Sequence, residues 1–325
     1  MSAADLERVL TAALGWLHDQ RDRFRLPDDP THPRHDRNAT WRPLAELAQL
    51  SLTISRVSAP GGRPHRMARS LLDLAWRLTG AGEAFVELAR REPHAVYPLE
   101  LYAAFAEAGL HDERFEAQLR CVRASRWWRV VEREPTRTLA VLNAERRLGL
   151  PPHRDPAEAQ HRTWLGGMGE PWAFTTRVGY GVTHHVFHVT NWGVSPQGLP
   201  RDLRDYLTLW LPAWLDCTVE AREWDLTGEF LVVAALLPDL AHPADAWDAL
   251  CGAQAPDGSV AESDALAAEP TRWFHNRYHS TLVTAFAAAL AHARARAEAH
   301  PVPAPVPAAV PVRTPVPAPT PGASR

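Results

Sequence analysis

Apolar residues recur every three or four positions along most of this chain of 325 residues, the spacing that places them on one face of an α-helix. The apolar/polar alternation typical of a strand is rare. The pattern predicts an all-α protein with more than about two thirds of its ordered residues in helices. The predicted helices span roughly 4–23, 41–57, 65–79, 82–91, 96–109, 112–122, 135–149, 180–192, 202–224, 226–237, 243–252 and 277–298.

Two breaks interrupt the helical pattern. The segment 25–40 is rich in Pro and Asp, which predicts a loop. The stretch from about 151 to 179 holds a cluster of glycines followed by Pro171. This second break predicts a boundary between an N-terminal helical subdomain, 1–150, and a C-terminal helical subdomain, 151–300, that carries the candidate site.

Residues 301–325 have a different composition, because nine of these 25 residues are Pro and no apolar period is present. Such a segment predicts a disordered, extended tail. The short links between the predicted helices indicate antiparallel helical hairpins, which either close into an α/α toroid or stack as an open α-solenoid. No fixed repeat length appears in the sequence, and this favours the toroid.

Charge and cysteine content exclude several classes of protein. The net charge of −3 and the pI of about 6.6 do not favour nucleic acid or an anionic membrane as a partner. The three cysteines are far apart and form no C-x-x-C pair, so neither a disulfide framework nor an all-Cys zinc site is expected. Neither a signal peptide nor a run of about 18 apolar residues is apparent. These features predict a cytoplasmic protein.

A linker near the C-terminus resembles a motif of known helical folds. The segment from Gln254 through Asp257 and Gly258 to Val260 is similar to the Q-x-x-D-G-x-W repeat of terpenoid cyclases and prenyltransferase β-subunits. The segment 278–281, Y-H-S-T, resembles the Y-H-T-T entry to an inner helix in the same folds. The resemblance implies an α/α toroid in which the linker joins an outer helix to the next inner one.

The catalytic signatures of those enzymes do not carry over. The chain has no D-x-D-D or D-D-x-x-D motif, and Val260 stands where the repeat has Trp. Asp216 and Cys217 are adjacent, whereas the zinc-binding prenyltransferases have D-x-C. His279 matches the distant His of that zinc triad. The resemblance, which covers about 45 residues, therefore implies a fold and leaves the activity open.

A second segment, 183–193, resembles the pattern T-H-x-x-F-x-x-T-(D/N)-x-G of an uncharacterised bacterial family found among natural-product gene clusters. It places three imidazoles within five positions, at His184, His185 and His188. Spacings of three and four residues share a helix face, so two of these rings could bind one metal ion. With His279 as a third ligand, His184 and His188 predict a site for a divalent metal such as zinc. Acid–base use without metal, or hydrogen bonding in the core, are the alternatives.

Acidic residues form two helical faces close to several Trp residues. Asp216, Glu220 and Glu223 share one face, and Asp225 and Glu229 share another. One face could line a cavity and supply a carboxylate for proton transfer. The alternative is a solvated acidic face, with Asp225 as a helix N-cap.

The position of His279 depends on where its helix begins. If it begins near Tyr278, His279 lies in the first turn, where the helix dipole disfavours imidazolium. A neutral ring there would serve as base or ligand. If it begins earlier, His275 and His279 are one turn apart on the same helix.

The leading functional hypothesis is an enzyme of bacterial specialised metabolism that acts in a central helical cavity on a peptide or isoprenoid-like substrate. Its candidate catalytic residues are His184, His279, Asp225 and Glu229. The rival hypothesis is a non-catalytic helical scaffold that binds a peptide or partner protein. The two differ in one geometric respect, because only the enzyme requires His184 and His279 to meet in a shared pocket.

Overall fold

The computed structural model describes residues 1–299, and helices make up 69% of them. No strand occurs in this span, so the all-α prediction is confirmed. The predicted Pro-rich tail, 301–325, lies outside the described residues. No helix up to residue 299 combines the length and the apolar character needed to cross a membrane.

Fifteen α-helices occur between residues 1 and 299, and they are numbered here in chain order. They are α1 (Ala3–Asp19), α2 (Arg37–Val57), α3 (Arg63–Leu78), α4 (Glu83–Arg91), α5 (Tyr97–Glu107), α6 (Glu113–Ala124), α7 (Arg126–Val130), α8 (Pro135–Arg147), α9 (Pro156–His161), α10 (Thr176–Val189), α11 (Arg201–Glu220), α12 (Trp224–Ala235), α13 (Ala244–Ala253), α14 (Asp264–Ala267) and α15 (His275–Ala299). All twelve predicted helices are present. The three unpredicted ones, α7, α9 and α14, have four to six residues and are too short to show a helical period.

Six helices contact one another in a closed cycle, in the order α2, α5, α8, α10, α12, α15 and back to α2. The other long helices pack around this ring, with α1 against α15 and α3, and α11 against α12. One apolar core extends through both halves of the chain, so the packing is continuous across the predicted boundary at residue 150. The ring therefore brings side chains from six separated segments towards a common interior.

The linker between α13 and α15 is fixed by its own polar groups. The amide of Gln254 donates to the carbonyls of Val9, 3.3 Å away, and Gly258, 3.0 Å away. Gly258 has φ +92°, and a Cβ there would lie 2.3 Å from the Ala12 carbonyl oxygen, so no other residue fits. The Val260 N–H donates to the Thr281 hydroxyl at 2.9 Å. These bonds tie the linker to α1 on one side and to the first turns of α15 on the other.

Helix α10 passes close to α12 because of a glycine. A Cβ on Gly179 would lie 2.7 Å from Leu226 Cδ2, so a larger residue would push the two helices apart. The hydroxyl of Thr175 accepts from the N–H of Val178 and caps the start of α10. This close approach positions the His-rich face of α10 beside the N-terminal half of α12.

Candidate functional site

Two carboxylates one turn apart on α12 form the centre of the site. Asp225 and Glu229 are only 3% and 1% exposed to solvent, although ionisable residues are rarely buried this deeply. The interpretation of Asp225 as an N-cap is wrong, because α12 begins at Trp224 and its capping position is Glu223. The Asp225 side chain instead points at neighbouring helices.

His279 on α15 lies between these carboxylates and a third one. Its Nδ1 is 2.7 Å from Asp225 Oδ1, and its Nε2 is 3.9 Å from Glu229 Oε1 and 3.7 Å from Glu46 Oε1. Burial alone would lower the pKa of His279, but the charges of Asp225 and Glu46 outweigh it and raise the pKa to about 10. The helix begins at His275, so His279 lies in its second turn. Of the two alternatives for the start of this helix, the structure therefore has the earlier one, in which His275 and His279 are one turn apart.

His184 on α10 approaches the same glutamate from another side. Its Nε2 is 3.7 Å from Glu229 Oε1, the oxygen that also faces His279. Its side chain is 38% exposed, which makes it the most solvent-accessible member of the cluster. Burial of the rest of the ring, together with the positive charge of His279, lowers the pKa of His184 and keeps it neutral. One imidazole nitrogen from each of His184 and His279 thus faces the same carboxylate oxygen.

Hydrogen bonds orient each carboxylate of the cluster. The Tyr180 hydroxyl donates to Asp225 Oδ2 at 2.8 Å, and the Thr183 hydroxyl donates to Glu229 Oε2. Glu46 accepts from Arg42 at 2.7 Å and from the Tyr278 hydroxyl at 3.0 Å. Since all these donors are on ring helices, the carboxylate oxygens are held in place by the scaffold.

The two buried carboxylates of α12 differ in protonation. Burial raises the pKa of Glu229, and the nearby charge of Asp225 raises it further, to about 8. Burial opposes ionisation of Asp225 as well, but the charge and hydrogen bond of His279 leave its pKa below the ordinary value. One ligand atom from each of Asp225, Glu229 and His279 lies within 4.8 Å of the other two, an arrangement compact enough for a metal ion.

Comparison with known proteins places this chain in a family. The family model described as domain of unknown function DUF6895 matches residues 10–289. The chain belongs to the DUF6895 family. The matched span contains every residue of the cluster, from Glu46 on α2 to His279 on α15. No curated protein and no solved structure matches the chain.

The other two His residues of segment 183–193 in this DUF6895 chain lie apart from the carboxylates of the cluster. His188 is one turn further along α10, with its ring centre 6.2 Å from that of His184 and 5.8 Å from the Trp192 ring. His185 is fully buried on the opposite side, with Nδ1 2.7 Å from the Thr163 hydroxyl. His185 is thus a structural residue of the core, and His188 continues the polar face of α10 away from Glu229.

The second predicted acidic face is solvated. Asp216 and Glu220 on α11 are exposed, in contrast to the two buried carboxylates of α12. In this DUF6895 chain, Asp216 and Glu220 therefore face solvent and do not line a cavity.

Three members of the cluster were missed from the sequence, namely Glu46, Tyr180 and Thr183. One signal was available for Glu46, since it is the single charged residue between Pro43 and Ser55 in an otherwise uncharged stretch of α2. Tyr180 and Thr183 carry no comparable signal, because hydroxyl side chains on a half-buried helix are common. Only the packing of α10 against α12 shows that their hydroxyls reach Asp225 and Glu229.

Proposed function

We propose that this chain is an enzyme whose reaction centre is a divalent metal ion held by His184, His279 and Glu229. The observation that carries the proposal is the convergence of two imidazole Nε2 atoms on Oε1 of one buried glutamate, at 3.7 and 3.9 Å. Of the two hypotheses from the sequence, only the enzyme requires His184 and His279 to meet in this way. Imidazole and carboxylate ligands together suit zinc and other first-row divalent ions.

The distances support an ion at this point. When four ligand atoms surround a metal ion tetrahedrally at bond lengths of about 2.1 Å, neighbouring ligand atoms lie about 3.4 Å apart. Glu229 Oε1 lies 3.7 Å from His184 Nε2 and 3.9 Å from His279 Nε2, and His279 Nε2 lies 3.7 Å from Glu46 Oε1, so each of these contacts exceeds this spacing by a few tenths of an ångström. The group of atoms that already lie within 4.8 Å of one another does not include His184 or Glu46, so both side chains must move closer to bind the same ion. Glu46 Oε1 supplies the fourth ligand, since it is one of these close neighbours of His279 Nε2. The sequence predicts three imidazole ligands, from His184, His188 and His279. The proposed set keeps His184 and His279 and has Glu229 and Glu46 instead of His188.

Asp225 acts through His279 in this proposal. Its Oδ1 faces the Nδ1–H of His279 and its Oδ2 accepts from Tyr180, so both oxygens are already engaged. A carboxylate on Nδ1 fixes the tautomer that presents the Nε2 lone pair to a metal and makes that nitrogen a better donor. Asp225 is therefore a positioning residue, and binding of the ion displaces the proton that His279 carries in the metal-free protein.

A metal ion at this point can polarise a carbonyl or phosphoryl oxygen of a substrate, or lower the pKa of a bound water molecule. His184 keeps partial exposure, so a substrate reaches the ion from its side. The closed cycle of six helices and the Q-x-x-D-G linker support an α/α toroid with the site in its interior. The resemblance of segment 183–193 favours a role in bacterial specialised metabolism, with a peptide or isoprenoid-like substrate.

Metal titration of chelator-treated protein tests the proposal. Cobalt(II) should bind at one equivalent and give the visible absorption of an imidazole–carboxylate site, and zinc should displace it. His184→Ala and Glu229→Gln should each abolish stoichiometric binding while the proteins remain folded. The control is His111→Ala, which removes a surface His–Glu pair of 2.8 Å and should leave binding unchanged. If the wild-type protein binds no ion, the scaffold hypothesis gains support.

A further inference from the structure

The motif that contains His184 ends in an unusual turn directly after α10. Asn191, Trp192 and Gly193 all have left-handed backbone conformations, with φ values of 50°, 56° and 82°. Left-handed residues normally occur singly, and an aromatic residue there is unfavourable. Strain of this kind persists where the surroundings impose it, and it is concentrated at ligand-binding sites.

The turn directs Asn191 into a partly buried network of charges, in which the side chain of Glu107 is 19% exposed and that of Arg56 is 32% exposed. The side-chain amide of Asn191 donates through Nδ2 to Glu107 Oε1 at 3.1 Å, while Arg147 Nε donates to Glu107 Oε2. Arg56 donates to the same carboxylate, and Arg147 Nη1 donates to Gln49 Oε1 at 2.6 Å. Two guanidinium groups thus share one carboxylate, which leaves this network with an excess positive charge.

Three polar atoms at this network have no hydrogen-bond partner, although solvent does not reach them. They are Arg147 Nη2, Asn191 Oδ1 and His188 Nδ1. The side chain of Arg147 is only 4% exposed, and Asn191 is 6% exposed. Buried unpaired polar atoms are strongly unfavourable, and a buried guanidinium is the most unfavourable of them. Within the network, no acceptor contacts Arg147 Nη2 and no donor contacts Asn191 Oδ1.

We propose that Arg147 and Asn191 bind an N-acylamino carboxylate, the group found at the C-terminus of a peptide. The carboxylate would accept from Arg147 Nη2 and neutralise the excess charge, and the adjacent N–H would donate to Asn191 Oδ1. Because Asn191 uses its amide N–H on Glu107, its oxygen is fixed as the acceptor.

The binding of an N-acylamino carboxylate does not depend on the proposed metal centre. Only its assignment to the substrate of the enzyme rests on the proposed function. His188 lies between the two places, one turn from His184 on the same face of α10. A peptide-like substrate bound by its C-terminus would therefore extend along this face towards the metal. The three unpaired atoms are closed to solvent in this conformation, so binding requires the turn after α10 to move.

The test measures binding of N-acetylglycine to the metal-free protein by calorimetry and by the shift in Tm. N-acetylglycine should bind saturably and raise Tm, whereas acetate, which lacks the N–H, should bind at least about tenfold more weakly. Gln49→Glu places a carboxylate on Arg147 without changing the side-chain shape. It should raise Tm by itself and weaken N-acetylglycine binding at least about tenfold.

Two controls separate this site from the metal centre. His184→Ala should retain N-acetylglycine binding, and Gln49→Glu should retain the stoichiometric metal binding of the wild type. Absence of metal in every protein would overturn the proposed function alone. Absence of N-acetylglycine binding, equal binding of acetate or inorganic phosphate, or unchanged binding in Gln49→Glu would overturn the present inference alone.

Discussion

Two buried glutamates beside a histidine occur in this molecule, and their surroundings differ. Glu145 on α8 is fully buried and accepts four hydrogen bonds. Its Oε1 receives Arg123 Nε at 3.1 Å and Trp128 Nε1 at 3.0 Å, and its Oε2 receives the backbone N–H and Nδ1 of His153 at 3.0 and 2.9 Å. Every lone pair of this carboxylate is therefore used within the protein.

Glu229 also lies beside histidines, but only one of its two oxygens accepts a hydrogen bond. Its Oε2 accepts from Thr183, while its Oε1 faces two imidazole nitrogens at distances too long for hydrogen bonds. The pKa values reflect the difference. Burial would raise both, yet hydrogen bonds from His153 and Trp128 leave the pKa of Glu145 below its ordinary value, whereas that of Glu229 rises to about 8. A completed network stabilises the fold, and an incomplete one marks a place for a ligand.

The largest expected effect is on the completed network. Glu145→Ala leaves Arg123, His153 and Trp128 without their acceptor, and should lower the free energy of unfolding by about 3–5 kcal/mol. Urea denaturation measures this loss. Metal binding per folded molecule should remain at the wild-type value. A loss below about 1 kcal/mol would show that Glu145 does not hold α8 to the segment around His153.

At the open cluster, removal of a ligand should affect binding more than folding. His184→Ala should weaken metal affinity by more than about 100-fold, which corresponds to about 2.7 kcal/mol. Its free energy of unfolding without metal should change by less than about 1.5 kcal/mol, since the His184 side chain is 38% exposed and its contact with Glu229 is longer than a hydrogen bond. Competition with a chromophoric chelator gives the affinity. If this variant instead unfolds like Glu145→Ala, His184 is a structural residue and the contrast between the two networks is lost.

A smaller effect is expected from the residue that orients His279. Asp225→Asn keeps an acceptor for Nδ1–H but removes the charge, and should reduce metal affinity about 10–100-fold. The matched control is Asp216→Asn on the exposed face of α11, which should change affinity less than about twofold and stability by less than about 0.5 kcal/mol. Equal effects of the two substitutions would argue against a positioning role for Asp225.

The smallest expected effect is the pH dependence of the stability that Glu145 contributes to the fold. The folded-state pKa of Glu145 is lower than its unfolded value, so its contribution to stability is present above about pH 4.3 and is lost as the pH falls through the folded value. The difference in unfolding free energy between wild type and Glu145→Gln should therefore shrink by roughly 1 kcal/mol on acidification below that pH. A difference that does not change with pH would show that the carboxylate charge is unimportant there.

Local patterns were sufficient to predict the helices and part of the site. The apolar period located all twelve long helices, and the spacing within 183–193 and 225–229 selected His184, Asp225 and Glu229. The spacing of residues on one helix identifies which side chains share a face, but it does not determine which helices face one another. For that reason the sequence does not indicate Glu46 on α2, and it predicts His188 as a ligand only because His188 is the helical neighbour of His184.

The fine structure of the site depends on the ring of helices. Thr183 and Tyr180 reach carboxylates 46 and 45 residues away in sequence, and the Glu46–Tyr278 bond joins residues 232 apart. Such long-range pairs have no local signature in a single sequence. The raised pKa of His279 also depends on tertiary packing, because the carboxylates of Asp225 and Glu46 that raise it lie on other helices.

X-ray absorption spectroscopy of the zinc-loaded protein tests the central claim most directly. The account predicts one tightly held zinc per chain, with two imidazoles at about 2.0–2.1 Å, carboxylate oxygens in the remaining positions and no sulfur. One imidazole should disappear from the spectrum of His184→Ala, and none from that of His111→Ala. Zinc lost on dialysis, a sphere containing Cys sulfur, or a spectrum of two imidazoles that persists in His184→Ala would contradict the account.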